Sequence, residues 1–246
     1  MMTLARHELY RLFISPLAWL ILALSQLILA YLFLTHIDYF MQIQGKISAI
    51  PGAPGVTELI ALPLFNNTAT ILLLLTPLVT MRLIAEEHRN NSLPLLLSAP
   101  LSATQIVLGK YLGTLSFFLM LLLLVTAMPL SLALGTTLDY RLIASAFFGL
   151  TLLAASFTAI GLFLSALTKQ PTIAAISTFS VLFLLWIIDW AGNVEQAGLL
   201  SWLSLLSHFQ PLLQGDIHSK DIAYYLIVIL FFLTLTIHRL NVQRFN

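Results

Sequence analysis

The chain has 246 residues, of which 59% are apolar and 9% charged, against about 25% charged in an ordinary soluble domain. A soluble fold of this size cannot hide that much apolar surface, so composition places the chain in a bilayer. Eleven Lys and Arg against ten Asp and Glu leave no basic field for nucleic acid, and the absence of Cys excludes disulfides, thiolate zinc sites and Cys nucleophiles.

Six spans of ~20 residues take up roughly 120–140 positions and leave no room for a soluble catalytic domain, so residues 1–246 form one membrane domain. Residues 3–15 place Ala5, Leu9, Leu12 and Phe13 at i, i+4, i+7 and i+8, with Arg6, His7 and Arg11 elsewhere on the wheel. That spacing predicts an amphipathic interfacial helix, broken at Ser15-Pro16. The spans follow at about 17–35, 60–81, 106–134, 142–167, 172–190 and 222–237. Runs such as Ile71–Leu75 and Phe117–Val125 lack the alternation of barrel strands and predict an all-α membrane protein. The first apolar run is longer than a signal-peptide core and is expected to be a retained anchor.

The connections carry their own patterns. Ile50-Pro51-Gly52-Ala53-Pro54-Gly55 excludes regular helix between the first two spans. The segment 82–100 contains the cluster Glu86-Glu87-His88-Arg89, then Ser92 as an N-cap for a short leucine-rich helix that has Pro94 in its first turn. Ser102-Ala103-Thr104-Gln105 has capping-box spacing and launches the third span. Residues 199–213 are apolar but too short to span, which predicts a re-entrant or interfacial helix ended by Pro211, with Gly215 opening the next turn. Eight basic residues (Arg6, Arg11, Arg82, Arg89, Lys110, Lys169, Arg239 and Arg244) share the side of the N-terminus, and three (Lys46, Arg141 and Lys220) the other. The positive-inside rule then puts both termini in the cytoplasm.

Catalytic signatures are missing from the sequence: no Walker A loop, no His-Glu-x-x-His, no Gly-x-Ser-x-Gly. The six His show no ligand spacing, and His208 with His218 is only a minor candidate for metal. Asp189, between Ile188 and Trp190, is the candidate membrane carboxylate, either on a substrate path or reaching headgroups beside the interfacial Trp186 and Trp190. Lys110 lies one turn into the third span and is expected to snorkel. Gly109-x-x-x-Gly113 and Gly161-x-x-x-Ser165 allow close helix approach, and Pro77 and Pro129 are expected to kink their helices. Thr68, Thr70 and Thr76 put hydroxyls on a presumed pathway face. The Glu86–Arg89 cluster is either a solvated turn or a docking element, whose leucines would fill a groove on a soluble partner while its charges set orientation.

Thr80-Met81-Arg82-Leu83-Ile84-Ala85-Glu86-Glu87-His88-Arg89-Asn90-Asn91-Ser92-Leu93-Pro94-Leu95-Leu96-Leu97 resembles the coupling segment of type 2 ABC exporter permeases, in particular the gliding-motility and copper-enzyme-maturation branch. Asn91 stands where that pattern has Gly, and Pro94 where Glu is common. Ile106–Gly113 resembles the family's start of span 3, Ala159–Thr168 its end of span 4, Leu206–Phe209 with Gly215–Ile217 and Asp221–Tyr225 its outer re-entrant region, and Glu8-Leu9 with Ser15-Pro16 its N-terminal elbow.

The resemblance implies a permease subunit in the bacterial inner membrane, paired with a second permease and docked on a separate ABC ATPase. It binds no cofactor itself; ATP and Mg2+ belong to the ATPase. Docking falls to Arg82, Glu86, Glu87, Arg89, Leu93, Leu95, Leu96 and Leu97, and the outer gate to His208, Phe209, Gly215 and Asp216, with no metal and no catalytic residue. A membrane-embedded enzyme using Asp189 and His208, or a non-transporting membrane scaffold, is the alternative.

Overall fold

The computed structural model describes residues 2–47, 54–91, 102–192 and 204–245. Among them the chain is helical without strands: α1 (Met2–Ile14), α2 (Pro16–Ile47), a π-helical turn (Thr57–Ala61) leading into α3 (Leu62–Thr80), α4 (Ala85–Arg89), α5 (Ala103–Ser131), α6 (Tyr140–Leu167), α7 (Pro171–Gly192), α8 (Leu205–Leu213) and α9 (Ser219–Phe245). Six of these stretches are long and apolar enough to cross a membrane. Ser15 bends the chain between α1 and α2, and its hydroxyl accepts from Leu17 N–H at 3.4 Å.

Helix α2 runs a further three turns past the apolar stretch at 17–35, because residues 36–47 contain no breaker before the Pro-Gly segment. Helix α5 starts at the capping box: Ser102 Oγ accepts from Gln105 N–H and Gln105 Oε1 accepts from Ser102 N–H, each at 3.2 Å. Asp139 caps α6 by accepting from Arg141 and Leu142 N–H at 3.0 and 3.2 Å.

The stretches containing α6 and α3 are 72% and 67% buried, whereas those of α7, α9 and α2 are 17%, 28% and 33% buried. The first two therefore form the centre of the bundle, and the last three present apolar outer faces such as Leu20, Leu27, Ile176, Leu184, Ile227 and Leu230. Exposed aliphatic rows of this kind suit a lipid solvent, and the protein is a multi-pass membrane protein. In the core, Leu64, Phe65, Leu72, Phe117, Phe118, Leu121, Leu150, Leu153, Phe209 and Leu212 are fully covered.

A second apolar cluster lies at the end of the bundle that carries both termini. Leu83 and Ile84, 1% and 0% exposed, tuck the turn after α3 under α5, α6 and α9 beside Ile106, Val107, Ala159, Leu162, Leu233 and Leu240. The pair Gly161 and Ser165 on α6 receives that turn. A Cβ on Gly161 would run into the Thr80 side chain, whose Cβ is 2.8 Å from the ideal position. One turn on, Ser165 Oγ accepts from Ile84 and Ala85 N–H, both at 3.1 Å, and donates to Met81 C=O at 3.2 Å. All three hydrogen-bonding capacities of that hydroxyl are thereby used to fix one backbone turn.

Gly161→Ala is therefore expected to cost about 1–3 kcal/mol through overpacking and to lower the melting temperature in detergent. Gly45→Ala, where a Cβ meets nothing within 4 Å, is expected to be neutral or slightly stabilising. Equal melting temperatures for the two variants would show that the Gly161 contact is not tight.

Candidate functional site

Helix α1 rests on the first turns of α5 in a groove made by two glycines. A Cβ on Gly109 would lie 2.9 Å from Leu4 Cβ, and one on Gly113 would lie 2.8 Å from both Ala5 O and Glu8 Cβ. Phe13 then packs against Phe117 in a tilted arrangement with ring centroids 5.9 Å apart, so α1 follows α5 along its length. The glycine spacing expected to serve helix packing serves this close approach.

The approach buries Glu8 at 6% exposure against Lys110 at 2%. Lys110 does not snorkel to solvent. Its Nζ donates to Glu8 Oε2 at 3.3 Å and lies 2.7 Å from Glu87 Oε1. Two carboxylates around one ammonium leave a surplus negative charge, and Arg11 offsets it: its guanidinium is 3.3 Å from Glu86 Oε2 and 3.9 Å from Glu87 Oε1. Three segments far apart in sequence, α1, α4 and α5, thus meet in one ion network. A buried pair of this kind adds little net stability over an apolar substitute, but removing one partner is expensive, so it specifies where the segments sit.

Helix α4 carries the charges of the segment expected to dock a partner. Glu86 and Glu87 face α1 and α5, and Arg89 is exposed. Arg82, in the turn before α4, is exposed and has no ion-pair partner among the described residues. His88 faces Lys169, Arg239 and Gln243 of α9, and burial together with the two cations lowers its pKa from the usual imidazole value. Asn90 and Asn91 close α4 by donating to Glu86 C=O at 2.9 Å and His88 C=O at 3.2 Å. Asn91 takes φ 53°, the left-handed conformation that Gly adopts freely and that Asn tolerates best among side-chain-bearing residues. The substitution for Gly therefore keeps the turn. Leu93, Leu95, Leu96 and Leu97, with the helix expected to start at Ser92, lie outside the described residues.

At the opposite end, α8 lies under α6 and against α9. Phe209 is fully buried over Gly149, where a Cβ would lie 2.9 Å from Leu212 Cβ. Ser145 Oγ donates to Leu212 C=O at 2.7 Å, and Tyr225 Oη donates to Leu205 C=O at 2.6 Å. His208 Nδ1 is 2.6 Å from Asp221 Oδ1, and the imidazole stacks on Tyr224 with centroids 4.1 Å apart. Gly215, at φ 89°, ends α8 in a Schellman turn: Asp216 N–H donates to Pro211 C=O at 2.9 Å and Gly215 N–H to Leu212 C=O at 3.3 Å. Asp216 is exposed. The backbone of Asp189 belongs to α7, while its side chain and residues 199–203 lie outside the described residues.

Thr68 and Thr76 are fully buried and donate to the C=O groups of Leu64 and Leu72 at 2.8 and 2.7 Å, so within this chain their hydroxyls are satisfied by their own helix; Thr70 is exposed. Among the described residues no group of three or more His, Asp and Glu is arranged to hold a metal. Sequence reasoning missed Glu8 and Arg11 as members of the network and Asp221 as the partner of His208. The available signal was Lys110 itself, because a cation one turn inside an apolar helix requires a carboxylate from another segment.

Lys110→Met is expected to leave the buried Glu8 carboxylate unmatched and to destabilise the protein by about 3–5 kcal/mol. Glu8→Gln combined with Lys110→Met is expected to recover part of that loss. A double variant melting no higher than Lys110→Met would mean that the two side chains are not coupled.

No curated protein matches the chain. The family model described as ABC-2 family transporter protein matches residues 2–244. With the six apolar helices in place, this whole-length match means that the chain belongs to the ABC-2 family of transporter membrane proteins.

Proposed function

We propose that the chain is the membrane-spanning permease subunit of an ABC exporter, moved by ATP hydrolysis on a separate ATPase subunit. It lies in the bacterial inner membrane with both termini in the cytoplasm, in keeping with the eight-to-three division of its basic residues. A second permease subunit completes the complex. ATP and Mg2+ are held by the ATPase, and this chain binds no cofactor.

The observation that carries this reading is the attachment of α4. Five residues long, α4 and the turn before it are tied to α1 through Arg11–Glu86, to α5 through Glu87–Lys110, to α6 through Ser165 and to α9 through the apolar cluster that Leu83 and Ile84 share with Leu233 and Leu240. A force applied there reaches four helices at once, and a packed, hydrogen-bonded junction transmits it without slack. The ATPase meets the exposed side of the segment: Arg82, Arg89 and the outer edge of Glu86, continued by Leu93, Leu95, Leu96 and Leu97. Glu87, turned toward Lys110, contributes by holding the segment in place. At the other end α8, with His208, Phe209, Gly215 and Asp216, caps the exit of the pathway.

Tagged protein captured from native membranes is expected to bring down an ABC ATPase, identified by its mass. Arg89→Glu is expected to lower capture and nucleotide hydrolysis by about tenfold, as charge reversal in a docking surface does. Lys46→Glu, at the other end of the bundle, is expected to leave both unchanged. Full capture and hydrolysis by Arg89→Glu would remove α4 from the docking surface.

A further inference from the structure

A cavity of about 120 Å³ opens where α1, the start of α2 and the end of α3 meet. Its walls divide by chemistry. Glu8, Arg11, Arg82 and Glu86 line one part, and Ile21 of α2, Val79 of α3 and Phe117 of α5 line the other. The polar part lies level with the ends of the apolar helices, since α2 begins at Pro16 and α3 stops at Thr80. The apolar part lies inside them, and Leu78, 43% exposed beside it, leads out to the lipid face. A phospholipid in this leaflet has the same order along its length, charged head first and chains beneath.

The charges select the head. Arg11, Arg82 and Lys110 balance Glu8, Glu86 and Glu87, so the lining and its immediate network are neutral overall. A net anion gains no field there, whereas a zwitterion finds both signs. Arg82, exposed and without an ion-pair partner among the described residues, offers a planar fork for a phosphate. Glu8 and Glu86 offer acceptors for an ammonium. A primary ammonium donates three hydrogen bonds to such acceptors; a trimethylammonium donates none.

We infer that this cavity is a binding site for the headgroup of an aminophospholipid such as phosphatidylethanolamine, with its phosphate on Arg82 and its ammonium between Glu8 and Glu86. The bound lipid would brace α1 against the turn that leads to α4. The site shares Arg82 and Glu86 with the surface proposed to meet the ATPase, but lipid binding is read on this chain alone, so its test stands apart from that of the proposed function.

The full chain in detergent, stripped of lipid, is titrated with dioleoyl phosphatidylethanolamine, phosphatidylcholine or phosphatidylglycerol, and adducts are counted by native mass spectrometry. The ethanolamine lipid is expected to bind about tenfold more tightly than either of the others. Arg82→Gln is expected to weaken all three lipids, since each carries the phosphate, with Arg82→Lys keeping part of the affinity, and Glu86→Gln is expected to abolish the preference for the ethanolamine head. Glycerophosphoethanolamine, which has the head without chains, is expected to compete only at about a hundredfold higher concentration, so lipid rather than free phosphate ester is the ligand. Equal binding of ethanolamine and choline lipids, tighter binding of the glycerol lipid, unchanged affinity in Arg82→Gln, or an unchanged preference in Glu86→Gln would overturn the assignment.

Discussion

The ammonium of Lys110 is the constraint around which this end of the molecule is arranged. It sits two turns inside an apolar helix at 2% exposure, where an unmatched charge cannot persist. Its two carboxylates come from two separate segments that both precede it, Glu8 from before the first span and Glu87 from after the second. Matching the charge therefore forces α1 and α4 to the same place on α5. The glycines at 109 and 113 make the match possible, because any side chain there would push Glu8 away. Arg11 then keeps the acidic excess from repelling itself.

Around that point the short α4 becomes a junction. The buried pair Leu83 and Ile84 ties it to the core, and Ser165 ties its entry backbone to α6. These attachments differ in kind: ion pairs to α1 and α5, hydrogen bonds to α6, apolar packing to α5, α6 and α9. Such mixed anchoring gives a segment a single position, since no one displacement preserves all of the contacts. A five-residue helix has almost no stability of its own, so its order comes from tertiary contact.

The opposite end is built mainly from neutral hydrogen bonds and one His–carboxylate pair. Helix α8 is stitched to α6 by Ser145 and to α9 by Tyr225 and by His208–Asp221, and the turn leaving it needs Gly215. His208 and Gly215, which the sequence offers as gate candidates, thus have structural tasks in seating α8. The buried partner of His208 stands 13 residues away at the start of α9, beyond the reach of any local spacing rule.

Six apolar runs, the break at Ser15-Pro16, the capping box at Ser102 and the close-approach sites at Gly109, Gly113, Gly161 and Ser165 were all legible in the one-dimensional order of residues, because each is a local property of hydropathy, backbone preference or side-chain size. Ordered motifs also pointed to the ABC-2 family, and the whole-length match agrees. Which helix fills each glycine groove, which carboxylates answer Lys110 and which way Glu87 turns were decided by the tertiary structure alone. Those are pairings across as many as 102 residues. A sequence states that a buried charge must be matched, but only the folded chain decides which neighbour comes near enough to match it.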